Sequence, residues 1–209
     1  IKFFHRDGMS DLKTFEEVIG GLTYLKKGMT INAGENWMDC GGNVGAFTLL
    51  ACSKGAKVTV YEPDPFNCEM IKKNLTLNGF EAEIKQAALV HNDRKDVILF
   101  IGNNGNVWRN SIVKKWNNKG IKVPCVNFEE EAKNFDCCKM DIEGAEYEVL
   151  PKMIRDGSID YIDIVYAEFH GKKVHKERED TKKIRTAIRE RGIPVHHWDA
   201  QSKKRIVGV

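Results

Sequence analysis

The segment Trp37-Met-Asp-Cys-Gly-Gly-Asn-Val-Gly-Ala-Phe-Thr48 constrains this chain more than any other. A short run of strand character enters a glycine-rich turn, and the turn opens an apolar stretch, Ala46 to Ser53, closed by Gly55. A strand that passes into a helix through glycines is the opening unit of a parallel sheet covered by helices. Glycine leaves the backbone open to close approach and adopts positive φ without strain. The order is D-x-G-x-N-x-G and not the dinucleotide fingerprint, because Asn43 and Ala46 stand where G-x-G-x-x-G needs glycines.

The rest of the chain repeats the alternation. Strands are expected at Trp37 to Cys40, Lys57 to Tyr61, Glu83 to Leu89, Val97 to Ile101, Lys122 to Asn127, Phe135 to Met140 and Tyr161 to Ala167. Helices are expected at Ser10 to Leu25, capped by Ser10 or Asp11, at Pro65 to Leu77 and at Thr181 to Arg191, where Gly192 stops the pattern. Pro194 to Trp198 and Arg205 to Val209 read as a closing antiparallel hairpin. The expectation is one α/β domain over 1–209, with helices on both faces of a mostly parallel sheet. A helical cap would span 1–33, the core 34–171, and a closing helix and hairpin 172–209.

Composition limits what else this chain could be. With 209 residues and 42% hydrophobic side chains, it can bury about 70% of its unfolded surface without disulfides or a structural metal. Its six cysteines form no C-x-x-C pair, which argues against zinc and for reduced thiols in a cytoplasmic protein. A net charge of +3 does not call for nucleic acid or an anionic membrane, and no apolar run reaches a membrane span.

Asp39 puts a carboxylate at the end of the first strand, where a pyrophosphate would be repelled and a cationic ligand favoured. Glu62 follows Gly41 by twenty-one residues and ends the second strand, a place from which a carboxylate accepts both hydroxyls of a ribose. An adenosine with a cationic substituent is S-adenosylmethionine.

Three stretches carry a more specific likeness: Met38-Asp-Cys-Gly-Gly-Asn-Val-Gly-Ala-Phe-Thr-Leu-Leu50, Val60-Tyr-Glu-Pro-Asp-Pro-Phe-Asn67 and Cys138-Lys-Met-Asp-Ile-Glu-Gly-Ala-Glu146. Together with Lys73-Asn-Leu75 they resemble the FkbM family of S-adenosylmethionine-dependent O-methyltransferases, over roughly Asp11 to Gly171. The resemblance implies a class I methyltransferase sheet and methyl transfer to hydroxyls, commonly of sugars in glycans. It places the cofactor on Asp39, Gly41, Gly42, Asn43, Gly45, Glu62, Pro63 and Asp141, with the adenine near Gln86 and Ala87. Gly42 stands where the family usually has alanine, a change expected to be permissive. The compact form is similar to methyltransferase domains attached to glycosyltransferases, including those of large DNA viruses, which points to a deoxyhexose such as rhamnose as acceptor.

The later strands should bring Asp141, Glu143, Glu168 and His170 to the same sheet edge. An alcohol must lose its proton on methylation, and His170 is the preferred base because an unperturbed imidazole titrates near working pH. Asp141 or Glu143 could take the proton instead. Asp141, Glu168 and His170 would also suit Mg²⁺ or Mn²⁺, which would acidify the acceptor directly. The turn-rich loop from Gly102 to Ile112 carries Trp108, Asn110 and Ser111, a mixture suited to stacking on a sugar and bonding its hydroxyls. The alternative is an RNA ribose 2'-O-methyltransferase, in which Lys139, Asp141 and a later Glu imitate a Lys-Asp-Lys-Glu site. Mixed acidic residues within Lys172 to Arg191 make nucleic acid the weaker partner.

Overall fold

A computed structural model describes residues 1–21, 24–25, 28–102, 110–115 and 119–199, the side chains of residues 198 and 199 excepted. Nine strands and six α-helices follow in this order: α1 (Asp11–Ile19), β1 (Asn36–Cys40), α2 (Ala46–Ser53), β2 (Lys57–Tyr61), α3 (Pro65–Asn78), β3 (Glu83–Lys85), β4 (Ala88–Val90), β5 (Asp96–Phe100), β6 (Gly120–Asn127), α4 (Phe128–Ala132), β7 (Cys137–Met140), α5 (Glu146–Asp156), β8 (Ile164–Phe169), α6 (Arg178–Glu190) and β9 (Val195–Asp199) among the described residues. The main sheet has the order β3-β2-β1-β7-β8-β9, and every neighbouring pair in it is parallel. The order reverses between β1 and β7, the switch point outside which open α/β sheets hold their ligands.

Alternation along the strands assigns the faces. Trp37 of β1, Val58 of β2 and Cys137 of β7 pack with α1 and α2, through Val18, Phe47 and Leu50. Val60 packs with Ile71 and Leu75 of α3. Met38, Cys40, Cys138 and Met140 face the opposite way, onto Phe128 of α4, Leu150 and Met153 of α5 and Ile184 and Ile188 of α6. Both faces are therefore covered, and the core strands read as nearly continuous apolar runs for that reason.

Three expectations are corrected. The run Glu83 to Leu89 is two strands, because the Ala87 amide donates to the Lys85 carbonyl at 2.9 Å and turns the chain out of the main sheet. β4 then joins a second sheet, β4-β6-β5, in which β5 and β6 are antiparallel. The first helix stops at Ile19, before Gly20 and Gly21, and no side chain caps it; Asp11 is occupied instead by Arg6, whose Nε lies 2.8 Å from its carboxylate. The last helix starts earlier than expected, at Arg178, through a reciprocal Glu177 and Asp180 capping box. The strand at Val195–Asp199 pairs in parallel with β8, with α6 as the crossover, and the other half of the expected hairpin lies outside the described residues.

No helix among the described residues is long and apolar enough to cross a membrane.

Candidate functional site

The carboxyl ends of β1, β2 and β7 surround a cleft with an empty volume of about 660 Å³, counting the part open to solvent. One wall is polar: Gly41 and Asn43 from the glycine turn, Glu62 and Pro63 from the tip of β2, and Asp141 and Glu143 after β7. The other is apolar, lined by Ala87, Ala88, Leu89, Leu99, Ile112 and Ile142. A polar wall beside an apolar slot suits a ligand that has both a hydroxyl-rich part and a flat, weakly polar part.

Backbone geometry shapes the polar wall. Gly41 has φ +84° and Gly45 φ +87°, and a Cβ on Gly41 would lie 2.0 Å from the Asp141 carbonyl oxygen. Only glycine lets the two strand tips meet this closely. A Cβ on Gly42 would lie 2.1 Å from Cγ2 of Val60, so the alanine expected to be interchangeable here forces a stiff, β-branched neighbour to move. Glu62 is buried, and it accepts from the amides of Asn43 at 2.7 Å and Asp64 at 2.9 Å. Burial pushes its carboxyl up to about 7, against the lowering pull of those two amides. Asn43 Oδ1 is buried without a hydrogen-bond partner. An orphaned acceptor beside a ribose-sized acid is what a hydroxyl- and amine-bearing ligand would satisfy.

Asp39 is placed differently from expectation. It is fully buried and does not line the cleft; Oδ1 meets Lys139 Nζ at 3.0 Å and Oδ2 accepts from Thr48 Oγ1 at 2.7 Å. The cation it attracts is a lysine of this chain. Gln86 is exposed and also outside the cleft lining, whereas Ala87 lines it.

Next to the cleft, four carboxylates converge on one imidazole. His170 Nε2 lies 3.8 Å from Asp141, 3.4 Å from Glu143 and 3.9 Å from Glu168, while Nδ1 lies 3.2 Å from Glu146 Oε1. Burial alone would lower the imidazole pKa, but Glu146, Asp141 and Glu168 outweigh it and raise it to about 9. These acids favour the protonated ring, which suits a charge partner for them; the general-base role expected of His170 needs the neutral ring. Glu146 is fully buried and binds His170 twice, through its amide at 2.6 Å and its ring, while its other oxygen accepts from the Gly144 amide at 2.8 Å.

Glu143 has φ +57°, unusual for a residue with a side chain. Ser111 Oγ holds it there by donating to its carbonyl at 2.8 Å, and Lys173 pairs with its carboxylate. Ser111 is thus a strut, 1% exposed, and also accepts from the Val113 and Lys114 amides. Asn110 likewise spends its side chain on the fold, accepting from the Gly102 amide at 2.9 Å and donating to Asp64 at 2.7 Å. Both line the cleft. Trp108 lies outside the described residues.

The profile of the Methyltransferase FkbM domain matches residues 39–193, which contain both walls of the cleft. The chain belongs to the FkbM methyltransferase family. Membership of this family implies S-adenosylmethionine as the cofactor, and the orphaned Asn43 oxygen and the Gly41 cradle fit that group. A comparison with curated protein sequences gives no match. Among solved structures, a methyltransferase from Pyrococcus furiosus is 17% identical, with 90% of this FkbM chain and 74% of that chain covered at a TM-score of 0.42. A SAM-dependent methyltransferase from Agrobacterium tumefaciens is 13% identical, with 74% and 42% covered at 0.38.

For two residues of this FkbM site the sequence named the residue but not its role. Lys139 bore a signal, since a lysine inside the buried run Cys137 to Met140 needs an acid on the neighbouring strand. Glu146 bore none, because an acid in the first turn of a helix is ordinary on the surface.

Proposed function

We propose that this protein methylates a sugar hydroxyl of a glycan, with S-adenosylmethionine as donor and a deoxyhexose such as rhamnose as the preferred acceptor class. The observation that carries the reading is the convergence of Asp141, Glu143, Glu146 and Glu168 on His170 beside the cleft. Carboxylates accept hydrogen bonds from hydroxyls, so the edge suits a neutral polyol. The same charges repel phosphates, which disfavours the RNA alternative.

Bound S-adenosylmethionine supplies a methyl group on a sulfonium, an electrophile that needs no further activation. Gly41 and Asn43 would hold the donor along their backbone, and Glu62, fixed by two amides, would accept its ribose hydroxyls. The apolar residues Ala87, Leu89 and Leu99 would keep water from its base. Asp141 stands between this cleft and the charged cluster, with its side chain 25% exposed, and takes the proton that the acceptor hydroxyl loses. His170, held by Glu146, offsets the negative charge around that carboxylate. Holding the acceptor in line can itself supply several kcal/mol.

A second reading puts Mg²⁺ or Mn²⁺ on Asp141, Glu168 and His170, whose ligand atoms all lie within 4.8 Å of one another. The imidazole would then bind the metal through Nε2, with Nδ1 held by Glu146 as a supporting carboxylate. Turnover in EDTA separates the two: loss restored by Mn²⁺ establishes the metal, and unchanged turnover removes it. The function itself is tested by incubating the protein with isotope-labelled S-adenosylmethionine and panels of glycans and RNA transcripts. Label in a sugar, located by mass spectrometry, is expected. Label in RNA alone overturns the sugar reading.

A further inference from the structure

Asp39 and Lys139 are Cα partners across the β1·β7 ladder, one rung before both strands end. Their side chains point to the same face, toward α2, where Lys139 is 2% exposed and its Nζ lies 5.9 Å from the centre of the Phe47 ring. A buried ammonium must spend its three donors inside the chain. Lys139 reaches Asp39 Oδ1 at 3.0 Å, the Gly41 carbonyl at 2.7 Å and the Cys40 carbonyl at 3.5 Å.

The Gly41 contact matters most. The peptide between Gly41 and Gly42 is held at both ends, its carbonyl by Lys139 and its amide by the Tyr61 carbonyl at 3.3 Å. The next amide, of Asn43, is held by Glu62. The turn that floors the cleft is therefore set by one ammonium from behind and one carboxylate from in front. Thr48 completes the rear side by fixing the second oxygen of Asp39.

We propose that Lys139 is a positioning residue of the cofactor turn: it clamps the Gly41 carbonyl and Asp39 from behind the sheet, and so sets affinity for the adenosyl cofactor and not the rate of methyl transfer. The inference rests on the methyltransferase reading of the cleft. It also removes Lys139 from any Lys-Asp-Lys-Glu arrangement, because the side chain does not line the cleft and cannot reach an acceptor hydroxyl.

The test uses the full chain, S-adenosylhomocysteine as the probe, and separate measurement of Kd and of kcat at saturating cofactor. Lys139→Met alone strands a buried carboxylate and would lose stability whatever the lysine does. The informative variant is therefore the charge-neutral pair Asp39→Asn with Lys139→Met. It is expected to fold, to raise Kd about thirty-fold, and to keep kcat within about three-fold. Thr48→Val keeps the ion pair but frees one oxygen of Asp39, and is expected to raise Kd about three-fold with kcat unmoved. An unchanged Kd in both variants, or a loss of kcat at unchanged Kd, overturns the proposal. If the double variant does not fold, Thr48→Val decides alone. Failure of the unaltered protein to bind S-adenosylhomocysteine would instead strike the cofactor reading of the cleft.

Discussion

Cleft and charged cluster together have two walls, one at the tips of β1 and β2 and one at the tips of β7 and β8, and these are built by different means. At the tips of β1 and β2, backbone does the work: Gly41 sits where no Cβ fits, and Glu62 is held by the amides of Asn43 and Asp64. At the tips of β7 and β8, side chains do it, with four acids around His170 and Lys173 paired to Glu143. The first wall is a shape, which fails when volume is added. The second is a balance of charges, which fails when one charge is removed. Shape suits the part of the reaction that is the same at every turnover, and charge suits the part where a proton must move.

Adding volume to the first wall should have the largest effect. Gly41→Ala forces a Cβ against the Asp141 carbonyl at positive φ. It is expected to abolish S-adenosylhomocysteine binding by calorimetry and to cost about 3 kcal/mol or more in denaturant unfolding. Gly79 also has positive φ, +66°, but nothing lies within 4 Å of its missing Cβ. Gly79→Ala should cost only about 1 kcal/mol and leave binding intact. Equal effects of the two alanines would mean that φ, and not the closeness of the strand tips, is what glycine serves.

Removing a charge from the second wall should give the next largest effect. Glu146→Gln keeps the shape but weakens the hold on the His170 ring and amide. Turnover is expected to fall about 100-fold, with Kd for S-adenosylhomocysteine within about two-fold of the parent. A parallel loss of cofactor affinity would show that the two walls are one unit.

The smallest effects are in pH. His170 has a raised pKa, so its contribution to stability is complete below the ordinary imidazole pKa of 6.5 and is lost as pH rises through about 9. Glu62 is raised by burial, so its contribution is complete below 4.5 and is lost as pH rises through about 7. Melting temperature should therefore decline in two steps, one between pH 4.5 and about 7 and one between pH 6.5 and about 9. His170→Gln should erase the upper step and Glu62→Gln the lower, and curves parallel to the parent would refute the assignment. Cofactor affinity should move the other way across pH 7, rising as Glu62 ionises and becomes the stronger acceptor for ribose hydroxyls.

Much of the first wall was legible because it is local. The strand, the glycines and the helix from Trp37 to Ser53 are continuous in sequence, and Glu62 follows one βα unit later. The second wall was legible only as a set of residues at strand ends. That Asp141, Glu143, Glu168 and His170 share an edge follows from the βαβ pattern; that Glu146 joins them, and that the cluster holds a proton on the ring, does not. Ser111 shows the same limit. Its place at the cleft was foreseen, but its hydroxyl turns to the Glu143 carbonyl and not outward.

The sequence by itself determined the parallel α/β core, the glycine turn and the acid that follows it, because strand and helix periods and glycine conformations act over a few neighbouring residues. Tertiary structure alone decided what each charge is for. Asp39 and Lys139 stand a hundred residues apart and become partners only when β7 is laid beside β1 in one register. In a buried setting a charge takes its role from whatever lies within about 4 Å, and no local pattern records that distance.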